Sequence, residues 1–185
     1  LATLPGLFAT PESGEILSDA RRAALMADAE RLVAAMREAR QAEGKALRTV
    51  IAARIDEIER LAGQARELAE ARAARDGALL RERVEALIGA GAPVDEARLA
   101  QELALIAVRI DVTEELDRLQ AHVAAARALM AAEGPVGRKF DFLAQEFNRE
   151  ANTLCSKASS TELTAAGLEL KSVIDQLREQ IQNVE

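Results

Sequence analysis

His122 is the only histidine of the 185-residue chain. It closes the segment "RIDVTEELDRLQAHV", in which Asp111, Glu115, Arg118 and His122 step by four, three and four. On an α-helix such steps draw a single stripe. A histidine titrates near neutral pH and can serve as general acid or base. Carboxylates beside it can hold a divalent cation that activates water or polarises a phosphate. A second polar group lies in "VGRKFDFLAQEFNREANTLCSK". There Phe140, Phe147 and Leu154 recur every seven residues, with Val136 and Leu143 as the neighbouring row. The next member of that row is Glu150. A carboxylate on a core position is costly unless a cation or hydrogen-bond donors meet it. The candidates for that cation are Arg149, Arg138, Arg109 and Lys157, or an oxygen-seeking metal such as Mg2+ or Mn2+.

The same segment is dense in amides. Arg138, Gln145 and Asn152 make one polar row, and Asp141 with Asn148 makes another. Amides donate and accept, which suits phosphate, ribose and base edges. It suits hydrogen bonds between helices equally well. Glu115 and His122 are separated by roughly 10 Å of helix rise, so a metal shared by both needs ligands from another helix or subunit. Against a site stands a bland alternative, a boundary network of ion pairs worth little per pair. No HExxH, CxxC, EF-hand loop, glycine-rich phosphate loop or GxSxG elbow is present. Cys155 lacks any catalytic partner other than His122.

These side chains must be positioned by helices. The chain is 49% apolar and 30% charged, with four Phe and no Trp or Tyr. Ala, Leu, Glu and Arg dominate, a mixture that favours helices. The fold expected is all-α, with long helices in extended hairpins and a small helical bundle. Apolar residues repeat at helical steps through Leu25, Leu32, Met36 and Ala39, then through Leu47, Ile51, Ile55, Ile58 and Leu61. One long helix, or two joined near Gly44, follows from Asp19, with another from Gly77 to Ile88. After "GAGAPVD", Asp95 is a candidate N-cap for a helix from Glu96 to about Ala132. Gly134 and Pro135 end it. A helix over 136–157 comes next. Ser159 and Glu162 have capping-box spacing. The last helix carries Leu163, Leu170, Leu177 and Val184 in a coiled-coil-like heptad row. Three segments result: a connector over 1–18 from a missing N-terminal domain, a helical arm or hairpin over 19–94, and a C-terminal helical domain over 95–185 with the candidate site.

The formal charge is −7, and residues 99–185 hold nine Lys and Arg against fourteen Asp and Glu. That balance excludes a simple electrostatic nucleic-acid binder, but not an enzyme that sets a divalent cation between its carboxylates and phosphate. A lone cysteine excludes an internal disulfide. No stretch approaches the roughly 18 apolar residues of a membrane span, and no secretory signal is visible. A cytoplasmic protein is expected.

The stretches "RLAQELALIAVRIDVTEELDRLQAHV" (98–123) and "GPVGRKFDFLAQEFNREANTLCSKASSTELTAAGLELKSVIDQLREQIQNVE" (134–185) resemble the C-terminal region of the bacterial YicC/YloC-like endoribonucleases. "LPGLF" and "EAR-QAEGKALR" resemble their middle region more weakly. The resemblance implies an N-terminal β-containing domain ahead of this chain. It also implies a metal-dependent endoribonuclease of RNA turnover, using Mn2+ or Mg2+ and working as a ring-like homo-oligomer such as a hexamer. The family's "NRE" falls on Asn148, Arg149 and Glu150, its "SK" on Ser156 and Lys157, and its histidine on His122. Cys155 stands where relatives often carry a small residue. On this likeness His122, Glu150 and Glu115 are the candidate catalytic groups. Asp111, Glu115, Asp141, Glu146 and Glu150 are candidate metal ligands, with Glu114 nearby. Arg109, Arg118, Arg138, Gln145, Asn148, Arg149, Asn152, Ser156 and Lys157 would face RNA. The competing expectation is a helical scaffold or oligomerisation protein that binds RNA or protein without catalysis.

Overall fold

A computed structural model describes residues 18–89 and 95–184. The connector before Ser18 and the loop at 90–94 lie outside the described residues. Five helices make up the described chain: α1 (Asp19–Gly89), α2 (Glu96–Ile110), α3 (Thr113–Ala131), α4 (Gly137–Lys157) and α5 (Thr161–Ile181). No strand occurs among the described residues, as the composition predicts.

Helix α1 runs unbroken for 71 residues, so neither a joint at Gly44 nor a separate helix from Gly77 forms. Each helical glycine costs about 1 kcal/mol relative to Ala, yet no proline interrupts the run. A Cβ at Gly44, Gly63 or Gly77 would meet nothing within 4 Å, so packing does not demand these glycines. The chain divides into two compact units, 1–45 and 46–185. In the first, the described residues are helical and exposed. Leu25, Leu32 and Met36 are 55%, 70% and 56% exposed, so the core role expected for them is not met there.

The second unit is an antiparallel helical bundle. Arg66 of α1 pairs with Asp117 of α3 at 2.6 Å, while Arg127 further along α3 reaches Asp56 and Glu59 earlier in α1. Helices α3, α4 and α5 follow one another through short turns. Gly134, with φ +89°, supplies the left-handed residue that turns α3 into α4. The core joins Ile55, Ile58 and Leu61 to Leu116, Leu119 and Val123, Phe147 and Leu154, and Leu170, Ile174 and Leu177. The heptad row of α5 is therefore buried down to Leu177, with Val184 partly buried.

One expected helix is two. The run from Glu96 breaks after Ile110, where Asp111 is extended (φ −71°, ψ 122°). Its Oδ1 accepts the Thr113 N–H at 2.9 Å, an Asx-type bond that turns the chain into α3. Val112 turns into the core at 3% exposure. Donation from Thr113 holds the Asp111 carboxyl below its ordinary range, with the Lys157 charge adding to it. A depressed carboxyl stabilises the fold above its unfolded pKa and stops doing so as pH falls through the folded one. Asp111→Ala is thus expected to lower stability by about 0.5–1 kcal/mol at neutral pH, the net worth of one such hydrogen bond. In urea titrations the difference should vanish in acid. At α5 the N-cap is Ser160, which accepts the Leu163 N–H at 3.1 Å. The capping-box spacing from Ser159 misplaces that cap by one residue.

Gly167 of α5 packs tightly against α4. A Cβ there would lie 2.6 Å from Cys155 Sγ and 2.9 Å from Leu154 Cδ2. Gly167→Val is expected to overpack this crossing and cost about 1–3 kcal/mol in urea-unfolding stability.

Candidate active site at the α3–α4 seam

At about 100° per residue, α4 presents Glu146, Glu150 and Lys157 on one edge and Asp141, Gln145, Asn148 and Asn152 on the opposite edge. The first edge meets α3. Glu150 is 3% exposed and its Oε1 accepts from Arg118 Nη1 at 3.3 Å. The cation for this seam carboxylate is therefore Arg118 of α3. Arg149, Arg138, Arg109 and Lys157 do not fill that role. Arg149 instead lies 3.8 Å from Glu146. Lys157 bonds Glu115 Oε1 at 2.8 Å. Arg118 also pairs with Glu114, one turn back on α3. Its side chain is 49% exposed, and its guanidinium is held firmly protonated, first by its bond to Glu150 and then by the Glu114 charge.

Within this seam one ligand atom each from His122, Glu146 and Glu150 lies within 4.8 Å of the other two. His122 is held edge-on to Phe147, with ring centroids 5.6 Å apart and planes at 73°. Its Nε2 is buried and has no hydrogen-bond partner. A buried ring nitrogen without a partner forfeits free energy unless something meets it. His122, Glu146 and Glu150 are the residues that would together hold a divalent cation here. One imidazole nitrogen and two carboxylates suit Mn2+ better than the all-oxygen shell Mg2+ prefers. The donor set present thus fits a divalent metal. The larger cavities, about 680 and 780 Å³, are lined by other residues.

A sequence profile described as "Endoribonuclease YicC-like, C-terminal" matches residues 65–185. The chain belongs to this family. It is 57% identical over 77 residues to a Haemophilus influenzae protein named "Probable endoribonuclease YicC", a match covering 42% of this chain and 27% of the relative. A Clostridioides difficile protein of the same name is 43% identical over 74 residues, covering 40% of this chain and 25% of the relative. The chain thus spans about a quarter of the length of these curated relatives.

In this YicC-like domain the site residues expected from sequence fall into separate places. His122, Glu146 and Glu150 come together. Glu115 stands apart with Lys157, its Oε2 buried and unpartnered. Asp111 is taken up in the α2–α3 turn, where it accepts from Thr113 N–H. Asp141 accepts from Gln145 at 2.9 Å, on the far edge of α4. The amides there are engaged within the bundle: Asn152 donates to Asn148, and Asn148 donates to Asp175 of α5 at 3.0 Å. Ser156 donates to the Thr153 carbonyl. Arg109 and Arg138 are exposed. The pairing of Arg118 with Glu150 escapes sequence reasoning because it depends on the α3–α4 register, which one sequence does not encode visibly.

Proposed function

We propose that this chain carries the catalytic centre of a metal-dependent endoribonuclease, with His122, Glu146 and Glu150 as its cation ligands. The observation that carries the proposal is that one ligand atom each of His122, Glu146 and Glu150 lies within 4.8 Å of the other two, on a histidine whose buried Nε2 has no hydrogen-bond partner. A bound divalent cation would supply the positive charge that a phosphodiester needs as it takes on charge in the transition state. Of the two carboxylates Glu146 is the more open, with its side chain 26% exposed against 3% for Glu150. Arg118 and Arg149 stand beside the cluster as phosphate-binding groups. The Lys157–Glu115 pair fixes the seam one step away. Membership of the family, and the printed names of the two relatives, support RNA as the substrate class.

The scaffold alternative draws on the salt bridges between α1 and α3 and the amide chain to α5. It predicts no metal dependence. A homo-oligomer fits the exposed Leu105, Ile106 and Val108 of α2, which a second copy could cover. No helix among the described residues is long and apolar enough to cross a membrane, consistent with work on cytoplasmic RNA. The test uses labelled RNA with a protein of the relatives' full length, in Mn2+, Mg2+ or EDTA. Cleavage in Mn2+, lost in EDTA and in His122→Ala, is expected. Cleavage that persists in EDTA would remove the metal centre from the proposal.

A further inference from the structure

Arg118 occupies the place where a second positive charge would have to enter. Its Nη1 contact to Glu150 is long, at 3.3 Å, whereas its Nη2 contact to Glu114 is shorter. Glu114 is 65% exposed and Glu150 only 3%. The Arg118 side chain is half exposed, so moving its head needs no rearrangement of the core. A divalent ion on Glu150 would face this guanidinium across one carboxylate, and like charges at that range repel.

We propose that Arg118 is a displaceable counter-ion: it neutralises buried Glu150 while the centre is empty, and swings towards Glu114 and the substrate phosphate when the cation binds. The proposal rests on the metal centre described above. It gives Arg118 two exclusive partners, the Glu150 carboxylate or the RNA phosphate. Metal and RNA therefore bind cooperatively, because each removes an obstacle to the other. A free Glu150 carboxylate, expensive to bury alone, never arises in the cycle. Arg149 makes an informative contrast. It is also near the cluster, but it is 68% exposed and lies 3.8 Å from Glu146, so it neutralises no buried group.

The experiment is Mn2+ titration of the 185-residue chain, followed by electron paramagnetic resonance of the free ion and by calorimetry. Arg118→Gln is expected to bind Mn2+ about tenfold more tightly than wild type, with Arg149→Gln changing affinity by less than about threefold. Thermal melts should show Arg118→Gln less stable than wild type in EDTA and more strongly raised by Mn2+. If Arg118→Gln melts too low to titrate, Arg118→Lys keeps a cation there without the two-pronged fork, and its affinity should fall between the two. Equal tightening by Arg149→Gln would mean bulk electrostatics and overturn the displacement. Unchanged or weaker binding by Arg118→Gln, with wild type binding normally, would overturn it and leave the metal centre standing. No Mn2+ binding by any of these proteins would overturn both.

Discussion

Glu150→Gln is expected to abolish detectable Mn2+ binding while the chain stays folded. In a full-length protein, RNA cleavage should fall by at least about a hundredfold, the upper end of what even outer-shell partners of a metal cost. Glutamine has the shape of glutamate and can still accept from Arg118, so the fold loses only the charge assistance of one bond, about 1 kcal/mol. Glu150→Met carries the argument further. The seam row Val136, Leu143, Glu150 is apolar except at this residue, and Glu150 is 3% exposed. Methionine fills a similar volume without a charge to desolvate, and Arg118 at 49% exposure keeps water around its head. Buried ion pairs replaced by apolar groups are often neutral or stabilising. The melting temperature of Glu150→Met is therefore expected to equal or exceed that of wild type, with metal binding gone. A carboxylate that lowers stability is then explained by its chemistry. Were Glu150→Met instead to unfold the bundle, Glu150 would be a structural ion-pair partner, and the scaffold alternative would gain what the nuclease loses.

The helical periods of this sequence carry most of the fold. The rows Phe140–Phe147–Leu154 and Leu163–Leu170–Leu177 have the seven-residue spacing of a buried face and are buried. The same kind of row at Leu25, Leu32 and Met36 is exposed, because amphipathicity states that a helix can bury a face and not whether its own chain supplies the cover. The break at Asp111 was hidden because Arg109 to Glu115 contains no proline or glycine. The Asx-type bond from Thr113 N–H to Asp111 is a local alternative that a helix-forming sequence can adopt without either residue. At the site, the anomaly at Glu150 was visible because it interrupts an apolar row. That Gln145, Asn148 and Asn152 face away from it follows from the helical repeat alone. The meeting of Glu146 with His122 did not, since it depends on how α3 and α4 slide against each other.

Phe147→Ala is expected to produce the largest loss of stability at any position of the seam. The side chain is 1% exposed and sits at the middle of α4, facing the α3 core residues and the edge of His122. Removing a buried phenyl ring costs about 3–5 kcal/mol through lost transfer free energy and the cavity left behind. Thermal melts of the chain should fall by roughly 10–20 °C. Phe140→Ala, with a parent ring 3% exposed, should cost a comparable amount. The two differ in what else they release. Phe147 fixes the His122 imidazole by an edge contact, whereas Phe140 lies two turns away from it on α4. Phe147→Leu refills much of the space and is expected to cost only about 1–2 kcal/mol. It nevertheless removes the ring that orients His122, so Mn2+ affinity should weaken several-fold while the circular dichroism spectrum holds. Phe140→Leu should leave that affinity alone. If Phe147→Leu lowers the melting temperature and leaves Mn2+ binding intact, the ring is core packing only, and the orientation of His122 must come from the backbone of α3.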